Sequence, residues 1–99
     1  MTNQNILKLI EYPEKGVLSK EIVKDRKNNV TLFCMAKGTE IGDHTSTKTA
    51  FVYVIEGEGI FTLKGKKIKM IPGTFIHMQE NEIHSLSAIK NTSFMLYLN

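Results

Sequence analysis

Three histidines carry most of the chemistry this 99-residue chain could do: His44, His77 and His84. A neutral imidazole offers one lone pair. Three that converge, with a water in the fourth place, make a sound site for Zn, Ni, Fe or Cu. The same rings can instead be satisfied polar groups, hydrogen-bonded to backbone or water. Each lies beside a β-forming run: His44 in Gly42-Asp-His-Thr-Ser46, His77 in Thr74-Phe-Ile-His-Met78, and His84 before Ser-Leu-Ser-Ala88. Other chemistry falls away on inspection. Ser85 is adjacent to His84, so on a strand the two point to opposite faces and form no nucleophile–base pair. Gly57-Glu-Gly59 is followed by a strand, which makes it a hairpin and not a phosphate loop. Cys34, the single cysteine, sits in Leu-Phe-Cys-Met-Ala and reads as a buried thiol.

The elements that must position these rings are strands. Apolar residues alternate with period two almost throughout. Strands are expected near 6–11, 17–24, 30–37, 50–56, 59–64, 67–71, 74–78, 83–89 and 93–98. Turn signals separate them, among them Pro13-Glu-Lys-Gly16, Gly57-Glu-Gly59, Gly65-Lys66 and Pro72-Gly73. Short, evenly spaced strands with glycine turns imply an all-β antiparallel sandwich or barrel. Alternation puts Ala50, Val52 and Val54 on one face and Phe51, Tyr53 and Ile55 on the other. The second row is also apolar, and a partner subunit would cover it. Phe75 and His77 are expected to face the barrel interior, beside the strand that His84 begins.

The chain resembles a cupin, the small double-stranded β-helix or jelly-roll barrel. The first cupin motif sets a glycine, His-x-His, a glutamate and a second glycine at fixed spacing. Gly38, His44, Ser46, Ala50 and Gly57 occupy those places. The second motif, Pro-x-Gly followed by a histidine, is met by Gly73 and His84, with Pro72 directly before the glycine. Asp43-His44-Thr45, Glu56-Gly57-Glu58 and Phe94-Met95-Leu96 extend the likeness over about 30–98. The resemblance implies a metal held by three histidines and one glutamate. Here Ser46 replaces the second histidine and Ala50 the glutamate.

These readings set the expectations. Residues 1–99 form a single cupin domain, with N-terminal strands at about 6–24 extending the sheet. An apolar pocket is lined by Val52, Val54, Phe61, Phe75 and Leu86, with Ala50 beside them. His44, Ser46, His77 and His84 stand at its mouth. The protein binds a small molecule there. A divalent transition metal is held at most weakly by His44, His77 and His84, with Glu80 or Glu82 available as a replacement acid. The alternative is a metal-dependent oxygenase, isomerase or lyase acting on a small organic acid or sugar derivative through a three-histidine site. A homodimer in the cytoplasm is expected, because a chain this short leaves apolar area uncovered. The net charge of +3 gathers in Lys64-Gly-Lys-Lys67 and Lys69. That turn reads as a solvated hairpin guarding a sheet edge, not a nucleic-acid interface. The apolar run Phe51–Ile55 is too short to span a bilayer.

Overall fold

A computed structural model describes residues 3–99. Nine strands form in chain order. They are β1 (Val17–Lys24), β2 (Asn29–Met35), β3 (Glu40–His44), β4 (Ala50–Glu56), β5 (Gly59–Leu63), β6 (Lys66–Met70), β7 (Phe75–Met78), β8 (His84–Ala88) and β9 (Thr92–Leu98). They build two antiparallel sheets, β1-β2-β9-β4-β7 and β3-β8-β5-β6. The chain crosses repeatedly from one sheet to the other, which is the all-β jelly roll expected.

Alternation places the core. In β4, Ala50, Val52 and Val54 are buried, while Phe51, Tyr53 and Ile55 turn away. Val52 pairs with Ile76 of β7 and Leu96 of β9, so one inward row runs across three strands. Phe61 and Leu86 face it from the other sheet, paired to each other across β5 and β8. Phe61 is 1% exposed. Full burial of a side chain this size contributes about 2–3 kcal/mol.

The turns follow local chemistry. Lys64 and Gly65 link β5 to β6 with φ of 51° and 82°, the left-handed pair that a two-residue hairpin requires. The lysines beyond them lie on β6, an edge of the four-stranded sheet, as the edge-guarding reading expects.

Two elements differ from expectation. Residues 6–11 are not a strand; Ile6–Lys8 is a short 3-10 turn whose N-cap, Asn5, accepts a hydrogen bond from Leu7 N through its side chain. Ile6, Leu9 and Ile10 are the half-buried positions, and that spacing suits a helical turn, not a pleat. The strand Glu40–His44 went unread because Gly42 and three polar residues hide its alternation. The segment 17–24 does extend the sheet, pairing with β2. Among the described residues no helix is long and apolar enough to cross a membrane.

Gly57 shows how tightly the turns are fitted. Its φ is +107°, and a Cβ there would lie 2.3 Å from the Asn91 carbonyl oxygen and 2.5 Å from Thr92 Cα. Thr92 Oγ1 accepts from Glu58 N at 3.2 Å and donates to Lys90 O at 2.8 Å, so that backbone has little room to yield. Gly57→Ala is therefore expected to destabilise the fold by at least about 2 kcal/mol. Urea unfolding followed by circular dichroism measures it, and an unchanged midpoint would contradict the close approach.

Candidate functional site at the pocket mouth

One extra residue in β3 aims His44. Ile41 pairs with Leu86 and His44 with His84, so Gly42 and Asp43 together oppose Ser85 alone. In a regular strand, residues three apart face opposite ways. The bulge removes that inversion, and both Ile41 and His44 line the space between the sheets. His84, at the start of β8, stands opposite His44, with ring centroids 4.0 Å apart.

The loop before β8 is fastened at both sides. Asn81 N donates to the Ser46 carbonyl at 2.7 Å, and Lys64 N donates to the Ile83 carbonyl at 2.9 Å. Asn81 takes a φ of 65°, which asparagine tolerates better than most residues. His84 then packs parallel to Phe61, with centroids 5.6 Å apart.

Both imidazoles are oriented the same way. His44 Nδ1 lies 2.9 Å from the Gly42 carbonyl, and His84 Nδ1 lies 3.0 Å from the Glu82 carbonyl. A carbonyl only accepts, so in each neutral ring Nδ1 carries the hydrogen and Nε2 keeps its lone pair. Burial pushes His84 below the ordinary 6.5. The Glu82 carbonyl pulls it back in part, and the neighbouring His44 lowers it further. His84 is buried and His44 exposed, so one ring sits inside the pocket and the other at its rim.

The cavity measures about 80 Å³ and is mostly apolar. His44, Val52, Phe61, His84 and Leu86 line it, as read from the sequence. Phe33, Ile41, Met78, Phe94 and Leu96 line it too and were missed. The alternation of β2 and β9 held the signal for Phe33, Phe94 and Leu96, but only the register shows which row faces in. Ala50 and Val54 are buried in the surrounding core and do not line the cavity. Ser46 is half-buried; its hydroxyl accepts from Lys48 N, a structural turn contact.

Phe75 and His77 correct the expectation outright. Ile76 and Met78 are the buried residues of β7, whereas Phe75 and His77 are exposed. The space between the sheets is the barrel interior, so the row that packs there leaves the other row outside. His77 stacks on Phe51, centroids 4.7 Å apart, on the outer face of the five-stranded sheet.

The metal that the resemblance implies needs four ligands converging at one point. Among the described residues no group of three or more His, Cys, Asp or Glu side chains is placed to hold an ion. His44 and His84, with ring centroids 4.0 Å apart, would supply two nitrogen ligands to an ion held between them. Among the described residues the remaining ligands of such an ion are not supplied. Glu82 is engaged elsewhere: Oε1 accepts from Gln79 N at 2.6 Å and Oε2 lies 3.6 Å from Lys64 Nζ. Glu80 is exposed. The residues present do not fit the four-ligand set.

Comparison with known proteins agrees on the fold. A family model described as a cupin domain matches residues 31–98. No curated protein matches the chain. A conserved Streptococcus pyogenes protein of unknown function is similar in structure, with a TM-score of 0.87 at 24% identity, covering 98% of this chain and 85% of that one. A cupin superfamily protein from Desulfitobacterium hafniense gives 0.86 at 21%, covering 92% and 84%. An RmlC-like cupin from Desulfovibrio desulfuricans gives 0.88 at 18%, covering 99% and 95%. At these identities the likeness is one of fold.

The lowered value of His84 has a pH consequence. Where a native histidine titrates below 6.5, the unfolded chain binds more protons on acidification. The stability His84 contributes is complete above 6.5 and is lost as pH falls through its native value. The urea midpoint is expected to drop below pH 6.5, and less steeply in His84→Gln. Equal slopes in the two proteins would remove His84 as the cause.

Proposed function

The chain belongs to the cupin family, and from that premise we propose that it binds a small organic molecule between its sheets, with His44 and His84 engaging the molecule's polar end. The observation that carries this reading is the pair of Nε2 lone pairs left free at the mouth of an apolar cavity. Ligand sites are commonly built this way, with apolar walls and a few convergent polar groups.

The chemistry narrows the ligand. Two neutral imidazoles offer acceptors, so the matching group is a hydroxyl or a protonated acid. A carboxylate would bind with a proton taken up by one ring, and its affinity would rise on acidification. The volume of about 80 Å³ is roughly half that of a cavity that admits benzene. A short apolar or polar end therefore enters, and the rest of the molecule extends past exposed His44. The reading needs no metal. A metal-dependent oxygenase, isomerase or lyase is favoured only by the facing pair of imidazoles, with centroids 4.0 Å apart; substrate or water would have to complete an ion's coordination.

Untagged protein purified without added metal is expected to carry at most roughly a tenth of an equivalent of transition metal, since two imidazoles hold such ions weakly. Elemental analysis measures it. A stoichiometric ion that disappears in His44→Ala or His84→Ala would replace this reading with the metal-dependent one. In calorimetric titration with short hydroxy acids, a binder found with the native chain should lose about tenfold in affinity in each variant, roughly 1.4 kcal/mol. Binding indifferent to both substitutions would place the ligand elsewhere.

A further inference from the structure

A row of side chains crosses the outer face of the five-stranded sheet. Cys34 of β2 pairs with Ser93 of β9, and Ser93 with Glu56 of β4. Cys34 and Ser93 alternate with pocket-lining Phe33 and Phe94, so they point away from the pocket. In a regular strand Glu56 would share the inner face with Val54. An offset between Val54 and Glu56 turns it outward, into this row.

The N-terminal segment lies across the row. Tyr12 donates to Glu56 Oε1 at 2.6 Å. Burial and the Glu56 carboxylate push Tyr12 up to about 12; the Ser93 hydroxyl beside it offsets part of the rise, and Cys34 adds to it. One phenol thus lies over all three groups. Beneath it Cys34 and Ser93 are both 0% exposed. Ser93 Oγ has no hydrogen-bond partner among the described residues, which is unusual for a buried hydroxyl. It faces the same closed space as the thiol.

The cover is lightly held. No residue from 3 to 15 is fully buried. Among the described residues, 10–15 enter no backbone–backbone hydrogen bond. The ties are side-chain ones: Tyr12 on Glu56, and Lys20, whose Nζ donates to the Leu9 carbonyl at 2.8 Å and pairs with Glu11 at 3.0 Å. The segment joins β1 through Gly16, whose φ is +84°. A segment with so few ties opens without unfolding the sheet beneath it.

We propose that Cys34 is a modification site for low-molecular-weight disulfides, and that residues 6–15 are the strap that gates it. With the strap swung out about Gly16, the Cys34 thiolate attacks one sulfur of the disulfide. That S–S bond breaks and a new one joins Cys34 to half of the reagent. The other half leaves as a thiolate and takes up the proton that Cys34 released. Exchange of this kind needs a thiolate and no further catalytic group. Cys34 is the single cysteine, so no second thiol in the chain resolves the mixed disulfide. The captured group meets the unpartnered Ser93 hydroxyl. It also takes the place of Tyr12, which keeps the strap open until a reductant removes it. His44 and His84 lie on the other side of the sheet and take no part, so the site is independent of the ligand reading.

Reaction of the full chain with dithionitrobenzoate, a small aromatic disulfide, tests this. The native protein should release one coloured thiolate per chain while its circular dichroism stays that of the folded state. Tyr12→Phe keeps the ring but removes the tie to Glu56, and should react about tenfold faster. Glu56→Gln provides the measurement if Tyr12→Phe fails to fold. Cys34→Ser should release nothing. In the modified chain, trypsin should cut after Lys15 roughly tenfold faster than in the unmodified one, and a reductant should restore the resistance. A rate that climbs with urea in step with global unfolding would overturn the proposal. So would equal rates in the native chain and the strap variants, or loss of the sheet signal on modification.

Discussion

The bulge in β3 governs which polar groups the pocket presents. With Gly42 and Asp43 set against Ser85 alone, the strand skips one alternation, and His44 joins Ile41 on the inner face. A regular β3 would turn the imidazole to solvent and leave His84 as the pocket's single polar group. Gly42, one of the two bulged residues, has open space where a Cβ would stand. The same residue then serves the ring it has redirected, since the Gly42 carbonyl fixes His44 through Nδ1. His84 is held in the same manner by Glu82, two residues before it. Matching local contacts thus give matching tautomers, with both free lone pairs on Nε2.

The replacements at the family's other ligand positions form a consistent set. Ala50 is fully buried beside Met78. A carboxylate there without a cation would be costly to bury, and the small apolar side chain avoids that penalty. Ser46 uses its hydroxyl on Lys48 and its carbonyl on Asn81, so it fastens the loop instead of entering the pocket. The mouth that results has acceptors and no fixed negative charge. On the proposed reading, this favours a ligand that brings a proton over an ion that brings charge.

Packing also explains the two kinds of outer surface. The inner rows are saturated by sheet-on-sheet contact, so any further apolar area must be covered from outside. The N-terminal segment does this over β1, β2 and β9. It meets β4 at Glu56, through Tyr12, and the aromatic row of β4 and β7 is left stacked on itself. Lysines and carboxylates mark the other edges, while β7 has none.

The sequence by itself determined most of the strands and turns and the inward row of β4, because a pleat has period two and glycine marks where the chain reverses. Cupin spacing also located His44 and His84, whose places follow from distance along the chain. Phe61, Val52 and Leu86 were legible as lining for the same reason. Tertiary structure alone decided the rest. Nothing in Thr74-Phe-Ile-His-Met78 says which of two partly apolar rows packs inward; contact with β4 and the opposing sheet chose Ile76 and Met78 and sent His77 outside. The bulge was equally hidden, since its signal is a pairing offset between β3 and β8. Orientation on a strand is fixed by what the strand packs against, and that partner lies far away along the chain.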